Sequence, residues 1–415
     1  MKIAIIGSGI SGLTCAYLLN RQHDITLFEA SDWIGGHTHT VDVQMAGRDY
    51  AIDTGFIVFN DWTYPNFIRL LDKLGVASQP TEMSFSVHDP LTGTEYNGNN
   101  LNSLFAQRRN LVSPAFWGML QDILRFNRES QEDLQQQRLP VTLTLGEYLH
   151  SKGYRQRFID HYIVPMGSAI WSMSLADMLG FPLEFFVRFC KNHGLLSVTD
   201  RPQWRVISGG SRSYVAPLTA SFAEQIRLNC PVHHVTRQPN GVTLYSAAGE
   251  EQFDAVVFAC HSDQALRVLQ APTWTEREIL GALRYADNEV VLHTDTRLLP
   301  DRRLAWASWN YRLGGPAHQP AAVTYNMNIL QGIEAPSTFC VSLNQTAQID
   351  PTQILGRFNY AHPQYSLDGV AAQSRWQELQ GDRHTYYCGA YWGNGFHEDG
   401  VSSALRVAAA FGEQL

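Results

Sequence analysis

Lysine is scarce in this 415-residue chain: Lys2, Lys73, Lys152 and Lys191 are the only four, and arginine supplies the rest of the 31 basic residues. Against 39 acidic residues this leaves a formal charge of −8. No basic excess exists to neutralise phosphates, which disfavours generic nucleic-acid binding. Cysteine is sparse too, six residues at 15, 190, 230, 260, 340 and 388. None forms a Cys-x-x-Cys pair, so no zinc ribbon or thioredoxin-type site is written, and scattered thiols fit a reducing, cytoplasmic setting. No apolar run reaches the ~20 residues of a membrane span. Lys2 and the apolar residues behind it can imitate a signal peptide, but the glycines that follow predict a structural N-terminus. With 44% hydrophobic and 17% charged residues, the remainder is a packed globular chain of two or three domains.

The first 30 residues carry the densest signal. Residues 2–6 are a short apolar run ended by glycine, which suits a buried parallel strand. Residues 11–21 have helical spacing, and 24–29 form a second strand that ends on Glu29. Between strand and helix lies Gly7-Ser8-Gly9-Ile10-Ser11-Gly12, a Gly-x-Gly-x-x-Gly. In this context Gly7 permits the turn, Gly9 lets a pyrophosphate approach and Gly12 lets helix and strand pack closely. The helix N-terminus offers free N–H groups to phosphate, and Glu29, followed by Ala30, can accept from a ribose diol. A dinucleotide site is predicted.

Further on, hairpins are predicted at 41–52 and 82–96, and a helix at 64–75. Residues 101 to about 193 are mostly helical. A helix is predicted at 213–228, then strands at 231–237, 241–246, 252–260, 286–296, 321–327, 338–343 and 384–388. A last helix covers 399–412. With no repeat or long linker, the domains are expected to interleave.

A second glycine pair, Gly35-Gly36-His37-Thr38-His39-Thr40, and Asp53-Thr54-Gly55-Phe56 extend the dinucleotide unit beyond what a nicotinamide site needs. Here the chain resembles the flavin-containing amine oxidoreductase family, which includes monoamine and polyamine oxidases, phytoene-type desaturases and protoporphyrinogen oxidase. Gly35, Gly36, Thr40, Asp53 and Gly55 match its Gly-Gly-Arg-x-x-Thr and Asp-x-Gly segments. Gly209-Gly210-Ser211, Pro231-Val232 and 255–260 resemble later family segments. Cys388-Gly389-Ala390-Tyr391 resembles Ala-Gly-x-Glu, and the segment from Gly395 to Val401 resembles Gly-Tyr-Met-Glu-Gly-Ala-Val.

The resemblance implies an α/β fold: a Rossmann-type FAD-binding domain (1–80, 205–270, 380–415) interleaved with a substrate domain of mixed sheet and helices (81–204, 271–379). It implies non-covalent FAD held by Gly7, Gly9, Ile10, Ser11, Gly12, Glu29, Ala30, Gly35, Gly36, His37, Thr38, Gly55, Phe56, Val232, Gly389, His397, Gly400 and Val401. Phe56, Trp392 and Phe396 are candidate substrate walls. The implied function is oxidoreductase chemistry on a partly apolar small molecule: a lipid, terpenoid or hydrophobic amine. A redox-neutral flavin isomerase and a non-catalytic binder of related fold are the alternatives. The sequence names no electron acceptor.

The chain departs from the family pattern in three places. His37 stands where arginine is usual, and Tyr391 where many members carry a glutamate. None of the four lysines matches the residue that holds a water near the flavin in many amine oxidases, and only Phe396 matches that family's aromatic cage. Cys260-His261-x-Asp263 reads as a strand end before a nucleophile. His397-Glu398-Asp399 reads as a helix cap before a metal site, and no metal is expected. The aromatic and basic stretch 104–120 fits either an ordinary domain surface or peripheral membrane contact. The cluster at 306–311 is either core or cavity wall.

Overall fold

The computed structural model describes residues 1–315 and 318–415. Its first layer is a five-stranded, all-parallel sheet in the order Ile226–Arg227, Asp24–Phe28, Lys2–Ile6, Ala255–Phe258, Thr385–Tyr387. Past Lys2 the strands Lys2–Ile6 and Ala255–Phe258 are apolar because both faces are covered: Ile3, Ala4, Ile5, Val256, Val257 and Phe258 are all fully buried. The helices Ile10–Leu19 and His397–Ala410 pack together on one side. An antiparallel meander, Val232–Gln238, Gly241–Ser246 and Gly249–Phe253, covers the other with the helices Ser262–Val268 and Trp274–Ala282.

The second layer is a seven-stranded mixed sheet in the order Ile354–Gln364, Arg284–His293, Cys340–Leu343, Val323–Asn326, Trp309–Arg312, Phe85–Asp89, Thr94–Asn97. Only Trp309–Arg312 and Phe85–Asp89 run parallel. A helical block, in which Pro114–Gln135, Val164–Trp171 and Leu183–Asn192 are the main elements, packs its aromatics against this sheet. The two sheets draw alternately on the chain, which passes between the layers several times.

The predicted hairpins, the helices at 64–75 and 399–412, and the strands at 241–246, 286–296, 321–327 and 338–343 all form, within a few residues of the expected bounds. Two readings are corrected. Residues 213–228 are not one helix: a 3-10 turn, Ser211–Tyr214, and the helix Val215–Thr219 give way to the strand Ile226–Arg227. The apolar spacing of Val215, Leu218, Phe222 and Ile226 is helical, but Ile226 and Arg227 pair instead with Leu27 and Phe28 at the sheet edge. Residues 252–260 are not one strand either. They break at Asp254, and the two halves join different sheets.

Candidate flavin site

The carboxyl ends of the parallel strands converge on one large cavity of about 750 Å³. Lys2–Ile6 delivers the glycine loop there, Asp24–Phe28 delivers Glu29 and Ala30, Ala255–Phe258 delivers Cys260 and His261, and Thr385–Tyr387 delivers Gly389 to Tyr391. Ligand sites in open α/β sheets lie at these ends. The seven-stranded sheet supplies the opposing wall through Tyr285, Trp309, Tyr325, Tyr360 and His362.

The glycines divide into two kinds. A Cβ built on Gly9 meets no atom within 4 Å, so this residue borders open space. At Gly12 the same atom would lie 1.9 Å from the Gly7 carbonyl oxygen, and at Gly55 2.2 Å from that of His37. On Gly36 it would press on the Gly9 Cα at 3.2 Å, and on Gly400 it would lie 2.8 Å from Ile10 and 2.9 Å from Ser11. Gly12, Gly36 and Gly55 hold backbone against backbone, and Gly400 seats its helix on the Ile10 and Ser11 side chains, around a cradle that Gly9 leaves empty. Gly12, Thr38, Gly400 and Val401 therefore stand behind the cavity wall, whereas Gly7, Gly9, Ile10, Ser11, Glu29, Ala30, Gly35, Gly36, His37, Gly55, Phe56, Val232, Gly389 and His397 line it.

Glu29 is tied down on three sides. One carboxylate oxygen accepts from the Ser8 N–H at 2.8 Å and the Ser8 hydroxyl at 2.7 Å, and the other accepts from the Ser31 N–H at 2.9 Å. An ionised carboxylate has about four acceptor positions, so one remains for a ligand. Three buried polar atoms of the lining have no partner: His37 Nε2, the Tyr391 hydroxyl and the Trp309 indole N–H. Unpaired buried polar groups are costly, and their presence at the cavity marks it as built for a polar ligand.

His397 is fixed from below. Its Nε2 meets Thr38 Oγ1 at 3.0 Å and the Tyr214 hydroxyl at 3.2 Å, and its ring stacks on Phe56 with centroids 3.4 Å apart. Burial holds His37, His261, His362 and His397 below the ordinary histidine range, with mutual repulsion adding to the effect at the last three. The cavity is thus bordered by neutral imidazoles. Glu398 and Asp399 turn away from it: Asp399 caps its own helix by accepting from the Phe396 N–H at 3.0 Å, and Glu398 accepts from Asn66 and Phe67 on the helix Pro65–Leu74. Asp53 clamps the turn at Gly209-Gly210-Ser211 by accepting from the Ser211 N–H at 2.8 Å and from Thr40 at 2.6 Å.

Of the substrate-wall candidates, Phe56 and Phe396 line the cavity, joined by Ile170 and Trp171 from the helical block. Trp392 does not: it is buried beside Tyr391 in the core around the parallel sheet. In the cluster at 306–311, Trp309 is cavity wall and Tyr311 is core. His362, Tyr360 and Trp171 went unread in the sequence, and His261 was read as a strand end rather than as a cavity residue. Only His261 had a signal, its place just past a parallel strand, the position that marks Glu29.

The model of flavin containing amine oxidoreductases matches residues 10–311. The chain belongs to this family. Its curated relatives include a Mus musculus L-amino-acid oxidase, 28% identical over 68% of this chain and 46% of that protein. A Zea mays zeta-carotene desaturase is 24% identical over 72% of this chain and 56% of that protein. The chain thus spans about half the length of these relatives. Among solved structures, a CLA-producing fatty acid isomerase from P. acnes superposes with a TM-score of 0.70 at 15% identity, covering 99% of both chains, which shows the shared fold.

The residues present fit the family's FAD. The Gly9 cradle and the N-terminus of the helix Ile10–Leu19 suit the pyrophosphate, and the free position on Glu29 suits a ribose. His37 Nε2 and the Tyr391 hydroxyl stand at two of the departures from the family pattern as unpaired polar groups on the lining. Cys260 also lines the cavity, but burial pushes its thiol up to about 12, so it is a poor nucleophile for a covalent flavin link.

Proposed function

We propose that the protein is an FAD-dependent oxidoreductase acting on a partly apolar substrate: a lipid, terpenoid or hydrophobic amine. Bound FAD supplies the acceptor for a hydride or electron pair. The protein's part is to exclude water, place the substrate and offer no competing charge. In this reading 1–80, 205–270 and 380–415 form the cofactor-binding unit, and 81–204 with 271–379 form the substrate unit. The named glycines with Glu29, His37 and Tyr391 hold FAD, and Phe56 and Phe396 border the substrate.

The observation that carries the reading is the composition of the remaining wall. Ile170, Trp171, Trp309, Tyr325 and Phe396 meet there, and no lysine is found on the lining among the described residues. Burying apolar surface against such a wall favours binding by about 25 cal/mol per Å². The oxidase and desaturase relatives are consistent with this chemistry, and the isomerase of like fold supplies the contrast to test.

The experiment is anaerobic mixing of the FAD-loaded protein with two panels while flavin absorbance is followed. One panel holds benzylamine and short polyamines, the other unsaturated fatty acyl and isoprenoid compounds. The account predicts rapid bleaching by a member of the second panel and no efficient turnover of the first. Bleaching by simple amines alone would overturn the assignment of the wall. Product formed from an apolar compound with no net bleaching and no acceptor consumed would replace oxidation by isomerisation.

A further inference from the structure

The outer side of the helical block carries an apolar and basic face that the cavity chemistry does not use. Along the helix Pro114–Gln135, Trp117, Gln121, Leu124 and Arg128 are exposed and fall at i, i+4, i+7 and i+11, one stripe of an α-helix. Trp117 is 45% and Leu124 59% exposed. The preceding turn, Arg108–Val112, extends the stripe: Val112 is 84% exposed, and the Trp117 indole N–H donates to the Leu111 carbonyl at 2.9 Å.

From Arg108 to Arg128 the exposed charge on this face is basic, although the chain as a whole is at −8. Arg108 and Arg109 donate only to backbone and amide oxygens, and Arg128 has no carboxylate partner among the described residues. Of the acids of the same helix, Asp122 is buried against Arg155, Glu129 pairs with Arg125, Asp133 pairs with Arg138 and Lys152, and exposed Glu132 lies one turn beyond Arg128 at the far end of the stripe. Arg125, Arg128 and Arg155 border an open cleft of about 490 Å³, with Leu124 on its rim and Asp122, paired with Arg155, in its lining; Arg128 is its one arginine without a carboxylate partner among the described residues.

We propose that the face from Arg108 to Arg128 docks on an anionic phospholipid bilayer, with Trp117, Leu124 and Val112 entering the interface and the cleft taking a lipid phosphate. Exposed aromatic and aliphatic anchors interleaved with unpaired arginines are the complement of such a surface. Charge complementarity selects this occupant: an uncharged surface would leave the arginines without partners, and a second copy of this face would oppose arginine to arginine. The helix also reaches inward. Its Phe116 and Phe126 are fully buried in the core shared by Trp171 and Phe189, and Phe189 stacks on Phe396 at the cavity wall with centroids 5.4 Å apart.

The test is co-sedimentation of the FAD-loaded protein with vesicles of phosphatidylcholine alone or mixed with phosphatidylserine at about 3:1. The account predicts binding to the mixed vesicles only, weakened by added salt. Both Trp117→Ser/Leu124→Ser and Arg108→Glu/Arg128→Glu should lower partitioning roughly tenfold or more. Trp274→Ser, which removes an exposed tryptophan elsewhere, should leave it unchanged. Visible flavin spectra of the variants verify folding. No binding to mixed vesicles, equal binding to both kinds, or binding that survives both double substitutions would overturn the proposal. So would a dimer in solution that Trp117→Ser/Leu124→Ser dissociates.

Discussion

Glu29 has two duties. Its carboxylate receives the Ser8 and Ser31 donors, and so closes the glycine loop before any ligand arrives. Glu29→Ala should therefore weaken FAD binding and loosen the loop together. With charge-assisted hydrogen bonds worth roughly 1.5–3 kcal/mol each, the loss in affinity is about 10-fold to 150-fold. Titration by flavin fluorescence measures it, and thermal melting of the apoprotein should show a lower Tm as well. Asp53 makes a different prediction. Burial raises its pKa from 3.8 to about 6, so its carboxyl holds a proton more tightly folded than unfolded. The resulting penalty on folding is present above pH ~6 and vanishes below the unfolded value. Asp53→Asn removes the titration, so its stability relative to wild type should move in its favour by up to about 3 kcal/mol between about pH 4 and pH 7. Chemical denaturation of both proteins across that window checks the sign, and a flat difference would contradict it.

Two helices owe their placement to contacts that no local pattern announces. The helix Pro65–Leu74 has no side-chain cap of its own, and Glu398 at the start of the C-terminal helix accepts from the N–H groups of Asn66 and Phe67 at 3.2 and 2.9 Å. Glu398→Ala should cost about 1–3 kcal/mol, read as a lower Tm, with FAD still bound. At Gly400 a side chain would press on Ile10 and Ser11, so Gly400→Val should push the helix His397–Ala410 off the helix Ile10–Leu19 that follows the glycine loop. Both Tm and FAD affinity should then fall. The same contrast explains what was legible in the sequence. The glycine loop, its strand and its helix are local in the chain and were read correctly. The strand Ile354–Gln364 was not read, because asparagine, histidine and proline break its apolar alternation and pairing with Arg284–His293 holds it. The strands Val58–Asn60, Ser78–Pro80 and Trp204–Ile207 are too short to show any period.

Across the whole molecule the site arises where two sheets from interleaved stretches of chain face each other. The glycine-loop end of the cavity was legible, since Gly7, Gly9 and Glu29 follow parallel strands closely in sequence. The apolar end was only half legible. Trp171, Trp309 and Tyr360 come from three distant elements, and Trp392, which sits beside Tyr391 in the chain, turns into the core instead. The central claim is that the cavity holds one non-covalent FAD on the Gly9 cradle, and it is tested most directly by flavin content and affinity. Wild-type protein should be yellow, release one FAD per chain into the supernatant on acid precipitation, and rebind it. Gly9→Val, whose Cβ would enter the cradle without touching protein, should fold with little change in apoprotein Tm and lose most of that affinity. A colourless wild type that takes up no added FAD, or a Gly9→Val protein that binds FAD as tightly as wild type, would contradict the account.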